Sequence, residues 1–190
     1  MSEAAASRKY DEPRAHALRN RYLAAFDGVD IPVPVEAIAE DLLGLRIEER
    51  WEMGDCSGLL LPAERLIVLN AAERASRPGD PPLRRFRFTI AHELGHWVCH
   101  AHESAHAEPV YCRQADLARD VDRTLEREAN VFAAELLMPE RVVREAWATA
   151  RDVEDCAERF DVSPTAMQWR LYSFGLVEGG PAVSVPGEGS

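Results

Sequence analysis

The chain has 190 residues, 46% of them hydrophobic, and a formal net charge of −11. That apolar content suits one domain of ordinary size, and the acidic balance argues against broad, nonspecific binding of duplex DNA, which needs a basic surface. No run of about eighteen apolar residues occurs, so no transmembrane helix is expected. The opening Met1-Ser2-Glu3-Ala4-Ala5-Ala6-Ser7-Arg8-Lys9 has no apolar core and does not read as a secretory signal. The expected location is the cytoplasm, with no membrane contact. Cys56, Cys99, Cys112 and Cys156 show no metal-binding pair spacing and are expected to be reduced thiols.

In chain order, residues 1–11 read as disordered. From Pro13 to Phe26, Ala17, Leu18, Tyr22, Ala25 and Phe26 recur at helical spacing. Val35 to Leu43 predicts a second amphipathic helix, closed by Gly44. Leu45 to Trp51 alternates apolar and polar residues, the pattern of a strand with one buried face. Gly58-Leu59-Leu60-Leu61 and Leu66-Ile67-Val68-Leu69-Asn70 are apolar runs too short for helices. Between them Pro62-Ala63-Glu64-Arg65 supplies a hairpin turn. A loop from Ala71 to Pro82 leads into a helix from Leu83 to Cys99. His100 to Asp116 is irregular. A long helix follows, Leu117 to Met138, stopped by Pro139. Arg141–Ala150, Val153–Phe160 and Ser163–Phe174 complete the helices, with Ser163 as N-cap and Pro164 in the first helical position.

Thr89-Ile90-Ala91-His92-Glu93-Leu94-Gly95-His96-Trp97-Val98-Cys99 holds a His-Glu-x-x-His core in an apolar frame. Each residue turns a helix by ~100°, so His92 and His96 lie about 40° apart and can hold one zinc ion. Glu93 is adjacent and suits a general base that takes a proton from the attacking water. A catalytic zinc needs a third protein ligand. Glu126, Ala129, Phe132, Ala133, Leu136 and Leu137 form the inward stripe of the later helix, where an unpaired glutamate would be costly. Glu126 is therefore the expected third ligand. Asn130, one turn on, can hydrogen-bond a ligating histidine. Glu128 points away from Glu126 and is expected in solvent.

His92-Glu93-Leu94-Gly95-His96, Glu126-x-x-x-Asn130 and Phe132-Ala133-Ala134-x-Leu136-Leu137-Met138-Pro139 resemble the ImmA/IrrE metallopeptidases. So do the lead-in Arg87-Phe88-Thr89-Ile90-Ala91, the strand Leu66–Asn70, and the closing Val162-Ser163-Pro164-x-Ala166-Met167-x-x-Arg170-Leu171. The resemblance spans residues 30–178. It implies an α+β fold: a small zincin, gluzincin-like domain with a short mixed sheet and the motif helix, plus a C-terminal helix-turn-helix-like unit. The corresponding division is a disordered 1–11, a peptidase domain over 12–139, a helical unit over 140–178, and a disordered tail over 179–190. It also implies Zn²⁺ as cofactor, Glu126 as third ligand with Asn130 where gluzincins carry aspartate, and a helix-turn-helix repressor as substrate. By the same resemblance, the cut is expected to derepress DNA-damage, mobile-element or antiphage-defence genes. Single-stranded DNA is a candidate activator.

Other residues carry further expectations. Leu66, Ile67, Val68, Leu69 and Asn70 are expected as an exposed edge strand that aligns the substrate by β-augmentation. Tyr111 is a candidate oxyanion donor. Cys112 lies between the two ligand-bearing helices; it is either a structural thiol or a fourth, inhibitory zinc ligand that acts as a latch. His100, His102 and His106 read as a solvated loop, with His100 placed to support the site. Arg84, Arg85 and Arg87 are candidates to bind DNA or a substrate acid, against the plainer reading of a solvated helix start paired with nearby Asp and Glu. Trp147, Trp169, Tyr172 and Phe174 read as core. Two rival functions remain. One is a DNA-binding regulator with a structural zinc, for which Arg170 is the sole cation on the second helix. The other is a general aminopeptidase.

Overall fold

The computed structural model describes residues 3–27, 30–75, 82–101, 110–111 and 120–180. Helix α1 spans Glu3–Phe26 and includes Pro13. It therefore takes in residues expected to be disordered. Ala15, Leu18 and Tyr22 face inward, whereas Ala17, Ala25 and Phe26, expected on the same face, are exposed. Helix α2 (Val35–Ala37) runs on as a π-turn, Ile38–Leu42, ending before Gly44 at φ 64°. Arg65, left-handed at φ 52°, donates to the main-chain oxygens of Leu43 and Gly44 and satisfies that helix end.

Strands β1 (Arg46–Arg50), β2 (Gly58–Leu61), β3 (Leu66–Asn70) and the two-residue β4 (Val110–Tyr111) form one mixed sheet in the order β1-β3-β2-β4. β2 and β3 are the expected hairpin, closed by a 3-10 turn over Pro62–Glu64. β1 joins β3 in parallel, Arg46 opposite Leu66.

That topology corrects the edge-strand expectation. β3 is flanked on both sides, by β1 and β2, and all five of its residues are buried. Its backbone groups are committed to two neighbours, so Leu66, Ile67, Val68, Leu69 and Asn70 cannot pair with a substrate. Asn70 has a local duty instead. Its amide donates to the carbonyls of Gly54 (3.1 Å) and Cys56 (2.8 Å) and accepts from Ala72 N (3.0 Å), tying the loop before β2 to the end of β3.

Helix α3 covers Pro82–His96 and continues as a π-turn, Trp97–Ala101. Helix α4 (Asp120–Leu137) packs on it more extensively than any other pair of elements. Ala129, Phe132, Ala133, Leu136 and Leu137 are all fully buried, the stripe that a 3.6-residue period predicts. Helices α5 (Glu140–Ala150), α6 (Val153–Phe160) and α7 (Pro164–Ser173) follow. Asp152 and Ser163 cap α6 and α7, accepting from Asp155 N and Ala166 N. Val142, Val143, Ala146, Phe160, Met167 and Leu171 share one core with α3 and α4. Phe174 is buried and Trp147 half-buried, but Trp169 and Tyr172 are each 47% exposed, against the expectation that all four are core. Among the described residues no helix is long and apolar enough to cross a membrane. The tail beyond Gly180 lies outside the described residues.

Candidate metal centre

His92 and His96 stand on the buried face of α3, and Glu126 reaches them from α4. His92 Nε2 lies 3.2 Å from one Glu126 oxygen, and His96 Nε2 lies 3.1 Å from the other. The two Nε2 atoms are 3.1 Å apart. Three donors at ~2.0–2.1 Å from a tetrahedral zinc lie about 3.3 Å from one another, so this spacing fits the ion. Among the described residues, these three form the one His/Cys/Asp/Glu group compact enough for a metal. The structure brings together the three residues that the motif, the inward stripe of α4 and the family resemblance singled out.

The surroundings favour ligand states that bind metal. Burial is the main influence on His96 and holds its imidazole below the usual range, with the Glu126 hydrogen bond opposing. The ring therefore stays neutral and keeps a lone pair. Burial works against the charge of Glu126, but the hydrogen bonds and charge of His92 and His96 outweigh it. Its carboxyl stays well below the ordinary range. His92 Nδ1 sits 3.2 Å from Asn130 Oδ1. A proton on Nδ1, donated to that amide oxygen, leaves Nε2 free for a metal. Asn130 is thus where the sequence put it.

Glu93 is fully buried beside His92. Burial pushes its carboxyl up to about 8; the His92 charge opposes the rise and Glu126 adds to it. Two glycines make the arrangement possible. A Cβ on Gly58 would stand 2.4 Å from Thr89 Cγ2 and 2.7 Å from Glu93 Oε1, so only glycine lets β2 lie against this part of α3. A Cβ on Gly95 would stand 3.0 Å from Ala129 Cα and 3.1 Å from its carbonyl oxygen, so Gly95 allows the close approach that carries Glu126 to the histidines.

His100 follows one turn after His96, with ring centroids 5.8 Å apart, and its Nε2 lies 3.5 Å from Glu128. Glu128 is therefore half-buried rather than solvated. β4 places Tyr111 opposite Leu59 on the outer side of β2. The Tyr111 side chain, Cys112, His102 and His106 lie outside the described residues. Arg84 and Arg87 pair with Asp161, and Arg85 with Glu73, as the pairing reading expected, but Arg87 is 7% exposed and not solvated. Glu135 was missed. It is fully buried and pairs with Arg170 at 2.6 Å. Its signal was a lone carboxylate inside the apolar run Phe132–Met138.

Two histidines on one helix facing a glutamate on the next, with a carboxylic acid beside them, match the donors and base of a metallopeptidase. Residues 79–172 match the IrrE N-terminal-like domain. The radiation response metalloprotease IrrE of Deinococcus radiodurans is 29% identical over 179 residues, 92% of this chain and 50% of that protein. Its counterpart in Deinococcus deserti is 28% identical over 158 residues, 80% of this chain and 52% of that protein. The chain belongs to the ImmA/IrrE family. It spans about half the length of these curated relatives. In fold it is similar to a solved structure described as a Mycobacterium tuberculosis transcriptional regulator, with a TM-score of 0.55 and 17% identity over 86% of this chain and 48% of that one.

Proposed function

We propose that this chain is a zinc-dependent endopeptidase of gluzincin type that cleaves a helix-turn-helix repressor and so derepresses stress or defence genes. The observation that supports it best is the convergence of His92, His96 and Glu126 at 3.1–3.2 Å with Glu93 beside them. These residues would hold Zn²⁺, which supplies Lewis acidity toward the scissile carbonyl and the attacking water. Glu93 takes the proton of that water and returns it to the leaving amine. The close pass of Gly58 leaves room for the Glu93 carboxylate between β2 and α3. With β3 enclosed, substrate alignment passes in this reading to β4, one of the two outer strands of the described sheet together with β1. Tyr111 on that strand remains the proposed oxyanion donor.

The substrate class rests on the family and on relatives named for the radiation response. Activation by single-stranded DNA, and a latch in which Cys112 takes the fourth zinc position, belong to the same proposal. The chain is mixed with a helix-turn-helix repressor encoded beside it, with zinc, single-stranded DNA and a chelator varied, and products are read on a gel. The expected result is one specific cut, lost in Glu93→Gln with zinc retained, and independent of DNA in Cys112→Ala. Full cleavage by Glu93→Gln would sink the mechanism, and a wild type that cuts without any signal would sink the latch. Hydrolysis of short peptides without a protein partner would favour an aminopeptidase. Against the DNA-binding alternative, Arg170, the sole cation on the second helix, is 6% exposed and engaged with Glu135.

A further inference from the structure

Each ligand-bearing helix is tied to the C-terminal helices through a buried arginine side chain, Arg87 of α3 on the half-exposed Asp161 and Arg170 of α7 on the buried Glu135 of α4. On α3, Arg87 is 7% exposed. Its Nε lies 3.1 Å from Asp161 Oδ2 and donates to the Asp161 main-chain oxygen at 3.2 Å, while Nη2 donates to Val33 O at 2.9 Å. Arg84 donates to the other Asp161 oxygen at 3.2 Å. Asp161 occupies the turn between α6 and α7, left-handed at φ 51°. On α4, Glu135 is fully buried and meets Arg170 of α7 at 2.6 Å. Arg170 Nε donates to Met138 O at 2.9 Å, and its guanidinium lies 4.4 Å over the Phe174 ring.

The two ties sit at the same end of the helix pair. His92 meets Asn130 and His96 meets Glu126, so α3 and α4 run antiparallel. Arg87 is five residues before His92, about 7.5 Å along α3, and Glu135 is nine residues past Glu126, about 13.5 Å along α4. Both ties end on α6–α7, whose Phe160, Val162, Met167 and Leu171 are buried together in the core. One rigid body therefore holds both helices, and the angle between them sets the His–His–Glu spacing. Metal sites tolerate donor displacements of only ~0.2 Å.

We infer that the α6–α7 unit is a brace for the metal centre, with Arg87–Asp161 and Glu135–Arg170 as positioning pairs that preset the three donors. The inference rests on the metal-centre reading. It gives the C-terminal unit a task in this chain other than contact with nucleic acid.

The test measures zinc affinity by chelator competition on the full chain, at a temperature where circular dichroism shows every variant folded. Asp161→Asn keeps a residue that accepts the left-handed turn but weakens the tie to α3. Glu135→Leu with Arg170→Met removes the second pair together and leaves no buried charge unpartnered, a replacement that preserves stability in comparable pairs. Val142→Ala in α5, which belongs to neither pair, is the control for a general loss of stability. Each brace variant is expected to bind zinc about tenfold more weakly, the lower end for residues that orient ligands, with the control unchanged. Folded brace variants with wild-type zinc affinity would overturn the brace. A wild-type chain that binds no zinc would overturn the metal centre itself, so the two failures are distinct.

Discussion

Replacing Gly95 with alanine asks how closely the two ligand-bearing helices must approach. The new Cβ would lie 3.0 Å from Ala129 Cα, 3.1 Å from Ala129 O and 3.3 Å from Phe132 Cβ. Comfortable carbon contacts are ~3.5–4.0 Å, so the helices must part by roughly 0.5 Å. Two of the three opposing atoms are backbone, which cannot rotate aside. Alanine brings about 1 kcal/mol of helix propensity, whereas overpacking a tight interface costs about 1–3 kcal/mol, so a modest net loss of stability is expected. The larger effect falls on the metal. A 0.5 Å shift between α3 and α4 moves Glu126 away from His92 and His96 by more than the ~0.2 Å that coordination tolerates. Zinc affinity should drop at least about tenfold, or about 1.4 kcal/mol. Chelator competition reads the affinity and a thermal melt of the metal-free protein reads the stability. A Gly95→Ala chain that melts higher and binds zinc like wild type would refute the reasoning, because the interface would then have slack.

The pH dependence of the metal-free protein should carry the mark of Glu93. Its folded carboxyl titrates near 8 against an ordinary 4.5, so the folded state favours the protonated form. Its contribution is whole below 4.5 and is lost as pH rises towards 8, at up to about 1.4 kcal/mol per pH unit. Glu93→Gln cannot ionise, so its melting temperature should gain on wild type between pH 5 and 8; parallel profiles would contradict this. Asn70→Ala removes three hydrogen bonds, one buried and two part-buried, and should cost about 2–3 kcal/mol in a denaturant titration. An unchanged midpoint with altered cleavage would return Asn70 to a substrate role.

What was readable in the sequence was local. The stripe from Ala129 to Leu137 has an unbroken helical period, so α4 and its inward Glu126 followed directly. The β2–β3 hairpin followed from two apolar runs about a proline turn. Strand order did not follow, because β1 pairs with β3 in parallel across the whole hairpin, and nothing local encodes that pairing. One hint was available. Leu66-Ile67-Val68-Leu69 does not alternate, and a strand buried on both faces reads as continuous apolar sequence. That pattern belongs to an interior strand. The exposed Trp169 and Tyr172 show the opposite limit, since aromatic identity does not reveal which side of α7 meets the core.

The residues that do chemistry here are less distinctive than the ones that make room for it. Two histidines four apart and a nearby glutamate can arise on many helices without ever meeting a third ligand. What turns them into a centre is the approach of α4, and that approach is set by Gly95 against the backbone of Ala129. A side chain at position 95 would hold Glu126 off while leaving every ligand in the sequence. Gly58 plays the same part on the other side of α3, where a Cβ would collide with Thr89 and Glu93. A small residue three positions after the first histidine, facing a small residue three after the distal glutamate, is thus a structural requirement of this two-helix site. The Gly95–Ala129 pair discriminates a built metal centre from a chance His-Glu-x-x-His more sharply than the ligands themselves.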